Sequence, residues 1–255
     1  MRVDIRRALR KIQPILLKAQ KDNLNEADTV QRLVVFFNEV LGYDQLEEIT
    51  REAQVRDKYV DIAIKLDGTV KFLVEAKAAG TDLRNRHIDQ AKGYAADANI
   101  RWVLLTNGVI WSLYHLTFEE GVEYEPLFTV DLSVDELDAA SEQLSILHRR
   151  SIAHDKHEAY WKRHAALDPA SVAKAIYSER VLRLMRRDIR RREGILVDEE
   201  DLAGAVHNMF SPEAREKIGP MRIRRARAKK EQPVNAPEAA APAPAPPSPP
   251  AVPKP

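Results

Sequence analysis

Three charged side chains on two adjacent predicted strands carry the clearest chemical signal in the sequence. Asp61 lies in one run of alternating apolar and polar residues, and Glu75 and Lys77 lie in the next. Asp67-Gly68 separates the two runs, and this dipeptide between alternating runs predicts a β-hairpin. Positions 61 and 75 are equidistant from Gly68, so we expect the two carboxylates to lie opposite each other, with Lys77 on the same face.

Two carboxylates and a lysine in this arrangement suit the hydrolysis of a phosphodiester bond. Mg²⁺ prefers carboxylate and water oxygens, so Asp61 and Glu75 are the candidate metal ligands, with Mn²⁺ as an alternative ion. A metal held there would polarise a phosphoryl oxygen and lower the pKa of an attacking water, which Lys77 could orient or deprotonate. The pattern also fits an amphipathic hairpin whose charges face solvent, because antiparallel sheets commonly leave one face wet.

Two predicted helices flank this hairpin. The upstream helix, at 27–41, carries Glu39, which either approaches the metal site or simply faces water. The downstream helix, at 83–99, places Gln90 and Tyr94 on one face, since residues four apart are neighbours on a helix. Gln90 can donate to a phosphate oxygen and Tyr94 can stack or form a hydrogen bond, although both residues are also ordinary on a helix surface.

Further strands are predicted at 102–106 and 109–114, joined by Asn107-Gly108. The later part of the chain shows helical patterns, and these lie at 133–147, 152–166, 169–192, 200–210 and 211–219.

The order of these motifs resembles the PD-(D/E)xK nuclease superfamily, and more narrowly the N-terminal nuclease domain of the restriction subunit of type I restriction enzymes. The similarity covers roughly residues 25–130 and rests on five motifs: Leu41-Gly42-Tyr43, Val60-Asp61-Ile62, Glu75-Ala76-Lys77, the block from Gln90 to Tyr94, and Leu105-Thr106-Asn107-Gly108.

The resemblance implies a role for each candidate residue. Asp61 and Glu75 would be the metal ligands, and Lys77 the catalytic lysine. Gln90 and Tyr94 would support the reaction near DNA. Glu39 would be a further acidic contributor. In one respect the sequence departs from the family pattern, because Val60 stands where the first motif commonly has proline.

Type I restriction subunits continue into an ATP-driven translocase, which needs a P-loop. None of the nine glycines is followed by lysine, so we expect no ATP site in this chain. A nuclease domain without that motor would stand alone, form a homo-oligomer, or work with separate restriction-modification subunits.

Composition indicates a soluble protein of the cytoplasm. The chain has no cysteine, and no run of apolar residues is long enough to span a membrane. The first residues are charged and lack the apolar core of a signal peptide.

The formal net charge is only +1, but basic residues are clustered. Seven bases face one acid in residues 1–21, seven arginines face one aspartate in 180–192, and eight bases face one glutamate in 215–230. Such clusters are typical of surfaces that bind phosphate backbones, and they also occur on solvated helices with no partner.

These patterns predict an α/β fold, with a restriction-endonuclease-like mixed sheet flanked by helices. We divide the chain into a basic N-terminal helix (1–24), a PD-(D/E)xK nuclease-like core (25–132), a helical appendage (133–220) and a basic, then Pro/Ala-rich, disordered tail (221–255). The predicted function is Mg²⁺-dependent endonucleolytic cleavage of DNA. The alternatives are a non-catalytic DNA-binding or assembly module that keeps the fold, and a nuclease that acts on RNA or on a special DNA structure.

Overall fold

A computed structural model describes residues 2–55, 58–119 and 121–223 of the chain. The chain divides between Ser171 and Val172 into two compact units. The first unit contains a sheet with helices on both faces, and the second is helical. No helix in the described part of the chain is long and apolar enough to cross a membrane.

The first unit begins with two helices and continues through the sheet. Its elements are α1 (Arg2–Lys21), α2 (Glu26–Glu39), β1 (Ile49–Val55), β2 (Lys58–Leu66), β3 (Thr69–Ala76), α3 (Asn85–Asp97), β4 (Trp102–Thr106), β5 (Ile110–Thr117) and β6 (Glu123–Asp131). The helices after the sheet are α4 (Leu137–Leu144), a 3₁₀ turn (Ser145–Leu147), α5 (Arg149–Ala153) and α6 (Lys156–Leu167).

Among the described residues, six strands form one sheet in the order β1-β2-β3-β4-β5-β6. Neighbouring strands are antiparallel, except that β3 and β4 are parallel and are connected through α3. The predicted mixed α/β sheet flanked by helices is therefore confirmed. The sequence analysis does not predict the edge strands β1 and β6.

Helices cover both faces of the sheet. On one face, Phe36 and Phe37 of α2 pack against Trp111, and the Phe36 and Trp111 ring centroids are 4.3 Å apart. On the other face, Ile88 of α3 packs against Leu73 and its buried neighbours. Fully burying a large apolar side chain contributes about 1.5–3 kcal/mol, so these two layers fix the position of β3 between them.

A β-bulge in the β2–β3 hairpin determines which side chains share a face. Asp67 and Gly68 both have positive φ, as a tight hairpin turn requires. Leu66 pairs with Thr69 next to the turn, but the register then shifts and leaves Lys71 without a directly opposite partner. Beyond the bulge Ile62 pairs with Val74, and continuing that register places position 61 opposite position 75.

A stack of rings lies where β4 begins and β5 ends. His115, which is buried, stacks on Trp161 with ring centroids 4.1 Å apart and meets the edge of Trp102 at 4.8 Å. The Trp102 indole donates to Glu158 at 2.7 Å, and His157 packs on the same indole. The stack joins the sheet to α6.

Two of the predicted long helices are divided. The helix predicted at 152–166 is interrupted at Asp155, whose φ is 50°. The helix predicted at 169–192 becomes α7 (Pro169–Ile176) and α8 (Glu179–Glu193), with Tyr177 and Ser178 between them.

The helix predicted at 133–147 begins only at Leu137, since Ser133 bonds back to Asp131 and takes part in a turn.

The second unit has its own apolar core. Besides α8 it contains α9 (Glu199–Asn208) and α10 (Pro212–Ile218), and α7 spans the point where the two units divide. Leu182, Ala203 and Tyr177 are at its centre. The predicted Pro/Ala-rich tail lies outside the described residues from 224 onward, and the four predicted segments stay a prediction.

Candidate active site

The structure brings Asp61, Glu75 and Lys77 together at the end of β3. The Lys77 ammonium lies 2.6 Å from Glu75 Oε1, and Asp61 Oδ2 accepts a hydrogen bond from the Ala76 amide at 2.7 Å. The Lys77 amide in turn donates to the Thr106 carbonyl at 2.9 Å. The two amides that follow Glu75 therefore hold the Glu-Ala-Lys segment against Asp61 of β2 and Thr106 of β4.

Burial shapes the electrostatics of both carboxylates. Glu75 is only 2% exposed, and burial, with a smaller contribution from the Asp61 charge, raises its pKa to about 7 against the hydrogen bond from Lys77. Burial also raises the pKa of Asp61, although the Ala76 amide and Lys77 oppose the shift. Two neighbouring carboxyls that both have raised pKa values are a common sign of a site that binds a cation or transfers a proton.

Lys77 remains charged in this setting. Burial works against its charge, but the hydrogen bond that Lys77 donates to Glu75 and the charges of Glu75, Glu26 and Asp61 together raise its pKa above the ordinary value. The Glu26 carboxylate lies 3.7 Å from the Lys77 ammonium. The lysine is therefore a fixed positive charge at neutral pH.

Gln90 and Tyr94 form a pair of their own on α3. The Gln90 amide donates to the Tyr94 hydroxyl at 3.2 Å, as their predicted spacing on one face allows. One turn earlier, His87 has a lowered pKa, caused mainly by burial and then by the charges of Arg86 and Lys77. The first turn of α3 thus lies within electrostatic reach of the Asp61–Glu75–Lys77 group.

The sequence of this region matches a known family. Residues 25–130, less than half of the chain, match the family model described as type I restriction enzyme R protein N terminus. This segment is a restriction-nuclease-like domain. The resemblance to the N-terminal domain of the restriction subunit of type I restriction enzymes is thereby confirmed.

A comparison with solved structures gives a more distant similarity. The type IIG restriction endonuclease BpuSI aligns with a TM-score of 0.37 and 17% sequence identity, over 54% of this chain and 18% of that chain. This chain thus spans a small part of that enzyme's length, and the family match alone supports the assignment. No curated protein matches the chain.

Glu39 is not among the residues that the restriction-nuclease-like domain brings together. It is the last residue of α2 and is exposed, whereas Glu26, the first residue of the same helix, contacts Lys77. The two ends are about 20 Å apart at 1.5 Å per residue. Of the two readings that the sequence left open for Glu39, the structure shows the solvent-facing one.

Two acidic residues near the site are not identified by the sequence patterns. Glu26 follows Asn25, whose side chain caps α2. An acidic residue in the first turn after an N-cap is the sequence feature that could have drawn attention to Glu26. Glu52, on β1, contributes to the raised pKa of Asp61 and has a φ of 45° within its strand. Nothing in the local sequence predicts that left-handed conformation, which costs about 1–2 kcal/mol for a side chain other than glycine.

The donor set of the restriction-nuclease-like domain suits Mg²⁺ better than a softer metal. Within the described ranges, no group of three or more His, Cys, Asp or Glu side chains has the arrangement of a metal cage. Mg²⁺ does not need one, because it commonly keeps several waters and binds proteins through one or two carboxylates. Asp61 and Glu75, both oxygen donors, fit that requirement.

Proposed function

We propose that the restriction-nuclease-like domain hydrolyses phosphodiester bonds of DNA in a reaction that depends on Mg²⁺. The observation that carries the proposal is the buried Glu75 carboxyl, which has a pKa near 7 and lies beside Asp61 and the charged Lys77. Burying two neighbouring carboxylates beside a single lysine is costly, and such groups of perturbed acids occur chiefly where a cation or a reaction uses them.

Asp61 and Glu75 would hold the ion, which when bound supplies Lewis-acid polarisation of the phosphate and of a water. The Ala76 amide fixes one Asp61 oxygen and leaves the other available. Of the two roles that the sequence allows for Lys77, its raised pKa favours orienting the water and offsetting phosphate charge over removing a proton. Gln90 and Tyr94 would position DNA on α3.

The decisive experiment is cleavage of unmodified supercoiled and linear plasmid by the purified chain in Mg²⁺, Mn²⁺ or EDTA. We expect metal-dependent cleavage that Glu75→Gln abolishes and that Lys77→Ala lowers by about 10²–10³-fold. Glu39→Gln is the matched control, because it removes an exposed acid at the far end of α2 and should leave the rate unchanged.

Two results would contradict the assignment. Cleavage that survives both Glu75→Gln and Lys77→Ala would place the activity elsewhere. Absence of cleavage with DNA binding retained by every variant would instead support a non-catalytic DNA-binding or assembly module. Replacing the plasmid by RNA or by a branched DNA tests the remaining substrate alternatives, and accompanying restriction-modification subunits stay a prediction.

A further inference from the structure

The second unit presents a stripe of arginines along α8. Arg180, Arg183, Arg187 and Arg191 follow one another at spacings of three and four, so they project from one face, and Arg190 lies beside them. All five are exposed. From Arg180 to Arg190 the helix rises about 15 Å, a length over which duplex DNA carries roughly nine phosphate charges.

The opposite face of α8 is occupied by the core of the unit. Leu182 is fully buried, and Met185 and Ile189 pack against the same cluster as Ala203 of α9. Arg186, on the flank, donates to the Val197 carbonyl at 2.6 Å and to Glu199 at 3.0 Å. The apolar face and one arginine thus anchor the helix, and the exposed face is held in a fixed orientation.

The arginines of the exposed face divide into two groups by their contacts. Arg183 pairs with Glu179, and Arg191 pairs with Asp188. For Arg180, Arg187 and Arg190 the structure gives no ion pair within residues 2–55, 58–119 and 121–223. The charges of these three side chains are therefore not neutralised by an ion pair within the described residues.

We propose that this arginine stripe binds the phosphate backbone of duplex DNA, as a second contact surface besides the restriction-nuclease-like domain. Arginine presents several N–H donors in a planar fork that matches phosphate oxygens. No aromatic residue interrupts the stripe, so the contact is with the backbone and does not depend on base sequence. The proposal rests on the proposed function only in the choice of DNA as the polyanion.

An anionic membrane is the less suitable partner. A helix that binds a lipid surface inserts its apolar face between the headgroups. In α8 that face, with Leu182 at its centre, is buried in the unit's own core. The exposed face carries the arginines and one apolar side chain, Leu184, and a dense linear array of phosphates complements its charge.

The test measures binding of a 30-base-pair DNA duplex by mobility shift in EDTA across a fourfold range of salt. Every protein is the full chain carrying Glu75→Gln, so that binding is measured whether or not the domain cleaves DNA. The stripe variant combines Arg180→Glu, Arg187→Glu and Arg190→Glu. The matched control places the same charge change on exposed residues of α6, with Lys156→Glu, Lys162→Glu and Arg163→Glu.

We expect the stripe variant to lose about 2.7 from the slope of log affinity against log salt, at about 0.9 per phosphate contact. Over the fourfold rise in salt, the fold-loss of affinity should therefore be about 40 times smaller for the stripe variant than for the parent. The α6 control should keep the parent slope. A second variant, with lysine at the same three α8 positions, keeps the charge and should retain most of the binding.

The proposal is overturned if the stripe variant keeps the parent slope, or if the α6 control loses as much slope as the stripe variant. Sedimentation with anionic phosphatidylserine vesicles that depends on the three arginines, with an unchanged DNA slope, would also overturn it in favour of a lipid surface. If the chain with its natural Glu75 fails to cleave plasmid, the salt slopes of DNA binding are not affected. Each of the two proposals can therefore be refuted without refuting the other.

Discussion

Glu75 is the residue at which burial and chemistry meet most directly. With a pKa of about 7, its carboxyl is largely protonated below neutral pH, and a cation must displace that proton to bind. We expect Mg²⁺ affinity to fall about tenfold per pH unit below pH 7 and to level off above it. Titration calorimetry in buffers of different ionisation enthalpy would show the released proton, and Glu75→Gln should abolish the release.

The same carboxyl affects stability with the opposite sign from a salt-bridged acid. Its folded-state pKa lies above the unfolded value of about 4.3, so the folded chain binds more protons between those values and its stability falls as pH rises towards 7. Glu75→Gln removes this contribution, so it should make the slope of the free energy of unfolding against pH more positive between pH 5 and 7. A slope unchanged by the substitution in urea unfolding would contradict this account.

At this scale the sequence predicts the Asp61–Glu75–Lys77 group but not its neighbours. Residue types, alternation and the Asp67-Gly68 turn point to the trio, although the pairing of positions 61 and 75 also depends on a bulge. Glu26 and Glu39 lie at opposite ends of α2, and the sequence alone does not say which end of a helix meets the sheet.

At the scale of elements, the bulge in β3 positions the pair of carboxylates. A regular hairpin centred between Asp67 and Gly68 would pair position 61 with position 74 and send Glu75 to the other face. The unpaired Lys71 shifts the register by one and restores the pairing. Counting from Gly68 thus predicts the correct partners, although the sequence does not reveal the bulge that produces them.

Deleting Lys71 should therefore lower the rate of metal-dependent cleavage by at least about 100-fold, since a misplacement of even 1 Å at a catalytic group has that effect. Lys71→Ala is the control, because it keeps the extra backbone residue and should keep the activity. Plasmid cleavage by the two variants makes the comparison. Equal loss in both would mean that the side chain, and not the register, matters.

The ring stack between the sheet and α6 makes stability sensitive to acid. Burial lowers the pKa of His115 to about 4, with Glu158 opposing the shift and Arg101 and His157 adding to it. In the unfolded chain this histidine binds a proton near pH 6.5, whereas in the folded chain it does so only near pH 4. Between those values the contribution of His115 to the free energy of unfolding should fall by about 1.4 kcal/mol for each unit by which the pH is lowered.

His115→Phe keeps an aromatic ring on Trp161 and removes the titration. On going from pH 7 to pH 5 we expect its melting temperature to rise relative to that of the parent, because the destabilising protonation of His115 is gone while Glu75 and His157, whose pKa burial also lowers, act on both proteins alike. The same change in melting temperature for both proteins in scanning calorimetry would exclude a contribution of His115.

At the scale of the whole molecule, the two compact units have separate cores. Leu182→Ala removes a fully buried side chain from the second unit and should cost about 2–5 kcal/mol there. Amide exchange should accelerate in α8 and α9 and stay unchanged in β3 and β4. Acceleration throughout the chain would show that the units unfold as one.

The sequence indicates helices after residue 133 but not which of them belong to which core. The helix predicted at 152–166 is divided at Asp155, and α6 then packs on the sheet, whereas α8 packs with α9. Amphipathic spacing identifies an apolar face without identifying what covers it, so the division at residue 171 follows from packing and not from a local signal.

The tryptophans are distributed unequally between the units. The sequence has three, Trp102, Trp111 and Trp161, and all lie before Val172. Intrinsic indole fluorescence therefore reports on the first unit alone, while far-ultraviolet circular dichroism detects the helices of both. Protonated imidazole quenches indole emission on contact, so the ring stack should make the fluorescence of the folded chain a natural, label-free indicator of the charges on His115 and His157.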